Sequence, residues 1–80
     1  MQITKKLKLI KKFYDKEKTQ IKERYCIDEN GFFYGLYEEF YYTGCLNKRC
    51  TYINGLKHGL SEIFDIHGNC QYKHVYDLFD

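Results

Sequence analysis

Residues 30–55 read NGFFYGLYEEFYYTGCLNKRCTYING, and residues 54–77 read NGLKHGLSEIFDIHGNCQYKHVYD. Set under one another, Asn30-Gly31 returns as Asn54-Gly55, Gly35-Leu36 as Gly59-Leu60, Glu38 as Glu62, Phe40 as Phe64, Gly44 as Gly68 and Tyr52 as Tyr76. A spacing of 24 marks small supersecondary units stacked side by side. Within each unit Leu-x-Glu-x-Phe alternates with the period of a strand. A short turn ending in Gly follows, at Tyr42-Thr43-Gly44 and Ile66-His67-Gly68, where a three-residue hairpin loop wants positive φ at its third position. The returning strand carries apolar residues at one parity: Leu46, Cys50 and Tyr52, then Cys70, Tyr72, His74 and Tyr76. The expected fold is all-β, a row of antiparallel hairpins joined into one extended meander sheet.

Working outward, a degenerate unit is expected over residues 10–29. Ile21, Tyr25 and Ile27 have the spacing of Leu46, Cys50 and Tyr52 at an offset of 25, and one extra residue in Asp28-Glu29-Asn30 absorbs the difference. Ile10 to Tyr14 would be its first strand. The Lys-rich first 24 residues also suit a helix, so their place in the sheet is open. The chain is thus read as one domain over 1–80, with clear units at 30–53 and 54–77. All six glycines, Gly31, Gly35, Gly44, Gly55, Gly59 and Gly68, fall at repeat positions, which assigns them to backbone geometry rather than to a ligand.

An 80-residue chain buries only about 60–65% of its unfolded surface and is marginal alone. It has no Pro, Trp or Ala, and its 9 Tyr and 6 Phe fill a thin core with few side chains. The net charge of +2 hides an asymmetry: residues 1–24 hold nine Lys/Arg against three Asp/Glu, and residues 25–80 hold four against eight. A basic N-terminal segment reads either as a solvated face or as an arm for nucleic acid or anionic lipid through Lys5, Lys6, Lys8, Lys11 and Lys12. The start shows no apolar signal-peptide region, and no stretch approaches the length of a membrane span. A cytoplasmic location with reduced thiols is the expectation.

The spacing Asn-Gly-x3-Gly-x-Tyr-x2-Phe-Tyr-x2-Gly-x-Leu-x5-Tyr-x-Asn-Gly over residues 30–55 resembles the MORN repeat, in the variant common in bacterial and large DNA virus proteins. Tyr37, Phe40 and Gly44 match its aromatic and turn positions. The second unit keeps Gly59, Phe64 and Gly68 but has Ser61 where the aromatic belongs. The resemblance implies a β-hairpin repeat without an active site. It also implies a role as a protein-interaction scaffold, in some members tied to membrane association and in some bacterial members antitoxin-like. The six glycines, Tyr37, Phe40 and Phe64 would be framework positions.

No catalytic, cofactor-binding or metal-binding residue is expected. Cys26, Cys45, Cys50 and Cys70 form no Cys-x2-Cys pair. Cys50 and His74 would lie in one column two strands apart, about 10 Å at the usual strand spacing. His58 and His67 are placed in turns. Glu38 and Glu62 recur at one repeat position, with Lys48 as the kind of cross-strand partner expected. Arg24, Arg49 and Lys73 recur at spacings of 25 and 24. Together with Tyr37 and Tyr41, expected on the same face, they form the candidate partner-binding surface, a cation ladder beside aromatics. The partner expected is a protein, or a second copy of the chain, because an open sheet leaves edges and faces uncovered. Nucleic acid or anionic lipid is the alternative.

Overall fold

A computed structural model describes residues 5–77; the first four and last three residues of the expected 1–80 domain lie outside the described residues. Six strands follow one another: β1 (Lys8–Phe13), β2 (Ile21–Ile27), β3 (Gly35–Phe40), β4 (Leu46–Ile53), β5 (Leu56–Phe64) and β6 (Cys70–Tyr76). Their spatial order is their chain order, and every neighbouring pair is antiparallel. The all-β meander is therefore the fold, and the Lys-rich N-terminal segment joins it as β1 and β2. Among the described residues no helix is long and apolar enough to cross a membrane.

Local chemistry explains each reversal. At Tyr41 the backbone N–H donates to the Cys45 carbonyl (2.8 Å) and Gly44 N–H donates back to the Tyr41 carbonyl (2.9 Å). The same pair of bonds closes Asp65–Asn69 around Gly68 and Asp28–Phe32 around Gly31. Each of these three-residue loops ends on a glycine at φ between +84° and +94°, where an L-residue is strained. The two Asn-Gly pairs differ in conformation. Asn54 and Gly55 both have positive φ (51° and 82°) between the paired Ile53 and Leu56, the geometry of a two-residue type I′ hairpin turn. Asn30-Gly31 instead sits in the longer Asp28–Tyr34 connection, where the extra residue is accommodated. The β1–β2 loop has no glycine: Lys18 takes the positive φ, and the Asp15 carboxylate accepts hydrogen bonds from the Thr19 N–H, the Thr19 hydroxyl and the Gln20 N–H.

One-residue register shifts fall before Phe13, Phe40 and Phe64, at the turn end of each hairpin. Such a bulge turns the following side chain to the other face of the sheet. Further shifts sit near Gly35 and Gly59, both at positive φ inside a strand.

Among the described residues the sheet has no second layer. Its radius of gyration is 14.2 Å, against about 12 Å for a compact domain of this length. Cys50, 3% exposed, is the one buried apolar residue among the described residues, and no side chain is fully enclosed. Side chains stand on two open faces, which the register defines. One face carries Tyr25, Tyr37, Cys50, Tyr52, Ser61, Tyr72, His74 and Tyr76, here termed the aromatic face. The other carries Arg24, Glu38, Arg49, Glu62 and Lys73, here termed the charged face.

Candidate functional site

On the charged face a row runs straight across the sheet. Lys11 pairs in register with Arg24, Arg24 with Glu38, Glu38 with Arg49, Arg49 with Glu62 and Glu62 with Lys73. Arg24 donates from Nε (2.9 Å) and Nη2 (2.6 Å) to Glu38 Oε1, and Arg49 repeats this on Glu62 Oε1 at 3.1 and 2.6 Å. Lys73 Nζ stands 3.9 Å from Glu62 Oε2. Each guanidinium also lies over the next aromatic, Arg24 over Phe40 and Arg49 over Phe64. The expected column of Arg24, Arg49 and Lys73 thus lies on one face, but carboxylates interleave it and cancel most of its field. Glu62, 6% exposed, is nearly enclosed by its two cations.

Two expectations about this site are corrected. Tyr37 is not beside the arginines: it pairs in register with Cys50, whereas Glu38 pairs with Arg49, so its ring stands on the opposite face. The reason is the bulge between Glu39 and Phe40. Phe40 does pair with Leu46, but the extra residue, Asn47, lies in β4 and shifts the partner of every earlier β3 residue by one, so that Glu38 rather than Tyr37 meets Arg49. For the same reason the partners of Glu38 are Arg24 and Arg49, while Lys48 lies opposite Glu39. Tyr41 begins a turn, and its hydroxyl donates to the Phe64 carbonyl (2.7 Å), as Tyr14 does to the Phe40 carbonyl (2.7 Å). Both tyrosines tie one hairpin end to the next.

Beside the charged row runs an aliphatic one. Register and alternation place Leu9, Cys26, Leu36, Thr51, Leu60 and Val75 two residues further along the same face. Leu9, Leu36, Leu60 and Val75 remain 45–67% exposed. Alternation places Leu36 and Leu60 in strands, but their alignment with Leu9 and Val75 is a property of register between strands.

The aromatic face holds a stack that the sequence did not place. Tyr37 packs against both Tyr25 (centroids 5.6 Å apart) and Phe33 (5.7 Å), which touch each other at 4.7 Å, and Tyr52 meets Tyr37 edge-on at 6.0 Å. The Tyr37 hydroxyl bridges two carboxylates that face each other in register, 2.7 Å from Glu23 Oε2 and 3.0 Å from Glu39 Oε1. Burial, and then these two acids, push its pKa up. Tyr52 is pushed up to about 12, by burial first and by the neighbouring Cys50. Next to this stack, over Ser61, lies a cavity of about 190 Å³ lined by Tyr37, Lys48, Cys50, Tyr52, Lys57 and Tyr76, among others.

The remaining chemistry-bearing residues do not converge. All four cysteines are free, and among the described residues no group of three His, Cys, Asp or Glu side chains is placed to hold a metal ion. Cys50 on β4 and His74 on β6 have β5 between them, with Ser61 opposite His74. His67 is in a turn as expected, but His58 lies in β5 opposite Thr51, its Nδ1 buried without a partner. The basic N-terminal segment is partly neutralised: Lys5 stands 3.9 Å from Asp28 and Lys12 3.8 Å from Glu23.

Comparison with protein-family models, with curated proteins and with solved structures finds no match to this chain. The MORN resemblance rests on the spacing within residues 30–77 alone.

Proposed function

We propose that this protein is a non-enzymatic interaction module that covers the charged face of its sheet with another protein surface, a second copy of the chain foremost. The exposed row Leu9, Leu36, Leu60 and Val75 carries the reading. An aliphatic strip crossing a whole sheet favours burial against protein, and two sheets packed face to face at about 10 Å make a core of the size that one layer lacks. The neighbouring row of alternating charges would give that contact its register rather than its affinity. The resemblance to MORN repeats supports the same class of function, and the antitoxin-like version would set a toxin on this row.

The basic-arm alternative has less support. Lys5 and Lys12 are engaged by acids of the sheet, and Arg24 and Arg49 by Glu38 and Glu62. Replacing Leu36 and Val75 together by Lys tests the proposal by light scattering. The doubly substituted protein is expected to keep its β-sheet circular dichroism and lose its association. Association that survives both lysines would remove the row from the interface.

A further inference from the structure

We propose that the cavity over Ser61 is a binding slot for an aromatic ring carrying an anionic group. The chain itself supplies the template. Contacts of one hairpin recur in the next: Arg24–Glu38 returns 25 and 24 residues later as Arg49–Glu62, and the Phe40 carbonyl, bonded by Tyr14, returns 24 residues later as the Phe64 carbonyl, bonded by Tyr41. Phe33 against Tyr52 (5.1 Å) returns as the Lys57 ammonium over Tyr76 (5.4 Å). By the same correspondence Tyr37 becomes Ser61. The place that the Tyr37 ring fills in the earlier hairpin is therefore left open in the next one.

The residues around that place define what would fill it. In the earlier hairpin the ring is packed by Tyr25, Phe33 and Tyr52. In the later one the corresponding walls are Cys50, Lys57 and Tyr76, with Tyr37 and Tyr52 closing the near side. Aromatic edges and a cation suit a π face. The open space, about 190 Å³, is ample for one substituted ring, since about 150 Å³ of apolar cavity suffices for benzene.

The polar end is inverted. The Tyr37 hydroxyl ends between Glu23 and Glu39, two acceptors that want a donor. Their counterparts are Lys48 and Ile63, so the same end of the slot offers a cation. Lys48 has no ion-pair partner among the described residues. Glu39, opposite it in register, already accepts from Asn47 Nδ2 at 3.1 Å and faces the Tyr37 hydroxyl. A ring bearing a phosphate or carboxylate would lay its π face over Ser61 and its anion against Lys48. The slot is on the aromatic face and the aliphatic row on the charged face, so the two proposals stand or fall separately.

Titration of the full chain with phenyl phosphate, followed by the NMR signals of Ser61 and its neighbours, tests this. Inorganic phosphate and benzyl alcohol serve as the ring-free and charge-free controls. Phenyl phosphate is expected to bind saturably and at least about tenfold more tightly than either control, one such factor being the loss of a single modest contact. Lys48→Gln, at a half-buried site that carries no framework contact, should reduce phenyl phosphate to the level of benzyl alcohol. Ser61→Tyr restores the ring of the earlier hairpin and should abolish binding; paired with Lys48→Glu, which restores the acceptor, it should also raise the thermal midpoint. Binding of phenyl phosphate no tighter than either control would overturn the proposal. So would unchanged binding in Lys48→Gln, which stays informative even if Ser61→Tyr fails to fold.

Discussion

The Arg49–Glu62 pair predicts an asymmetry that counting ion pairs would miss. Glu62 has a side chain 8% exposed, whereas that of Arg49 is 44% exposed. Arg49→Met keeps most of the stem over Phe64 but removes both charged donors, at 3.1 and 2.6 Å, from Glu62 Oε1. The carboxylate is left enclosed with only Lys73, 3.9 Å away. An enclosed charged acceptor without its donor costs about 2–3 kcal/mol. Glu62→Gln is milder: the amide oxygen still accepts, and the half-exposed guanidinium rehydrates, so the loss is that of a surface pair, about 1 kcal/mol. In a domain of this size these become about 10–20 °C and about 4–8 °C of thermal midpoint. Thermal unfolding by circular dichroism of both single variants and the double variant reads the difference. In the double variant the stranded charge is gone, so Arg49→Met should cost at least about 1 kcal/mol less in the Glu62→Gln background than alone. A Glu62→Gln loss as large as that of Arg49→Met, or strict additivity in the double variant, would refute the view that burial of Glu62 sets the cost.

Other expectations follow from turn geometry and titration. Gly44→Val and Gly68→Val place a β-branched residue at φ +94° and +91° with open space around the new Cβ, so each should cost at least about 1–2 kcal/mol from backbone strain alone; unchanged midpoints would remove the three-residue loops. Hydrogen bonds hold two loop carboxyls below their usual value of 3.8, Asp15 chiefly through the Thr19 hydroxyl and Asp65 chiefly through the Asn69 backbone. Their stabilisation is complete above that value and is lost as pH falls through the lower folded values. Acid unfolding should therefore be shallower in a variant with Asn at both positions, and an identical acid limb would argue against these caps. At the alkaline end Tyr37 and Tyr52 are raised above the ordinary 10.0. The stability they contribute is present below that pH and fades as pH climbs through their folded values. Ultraviolet titration should show late-ionising tyrosines, and Tyr37→Phe should remove the most resistant one; early, uniform ionisation of all tyrosines would contradict the stack.

The strands and turns were legible because their signals are local. Glycines that need positive φ mark the loop ends, and alternation marks the strands between them. The distribution of residues between the two faces was much less legible. It depends on register, and the single extra residue in β4, Asn47, sets Glu38 rather than Tyr37 opposite Arg49 without changing any local pattern. The Arg24, Arg49 and Lys73 column was visible in the spacing, because a recurring offset preserves a face whatever the bulges do. Its neutralisation by Glu38 and Glu62 was not, since that is a property of register between strands. Glu23 and Glu39, 16 positions apart in the chain, meet for the same reason. The slot over Ser61 was half legible: the sequence shows the missing aromatic, and only the packed Tyr37 ring shows what its absence leaves open.

The central claim is that a single sheet covers its aliphatic row with a second copy of itself. Solution mass by light scattering during size-exclusion chromatography, at low and at high salt, tests it most directly. The account predicts a mass of two or more chains at both salts, because apolar burial is not weakened by screening. A monomer at both salts, or an assembly that dissolves as salt rises, would contradict it.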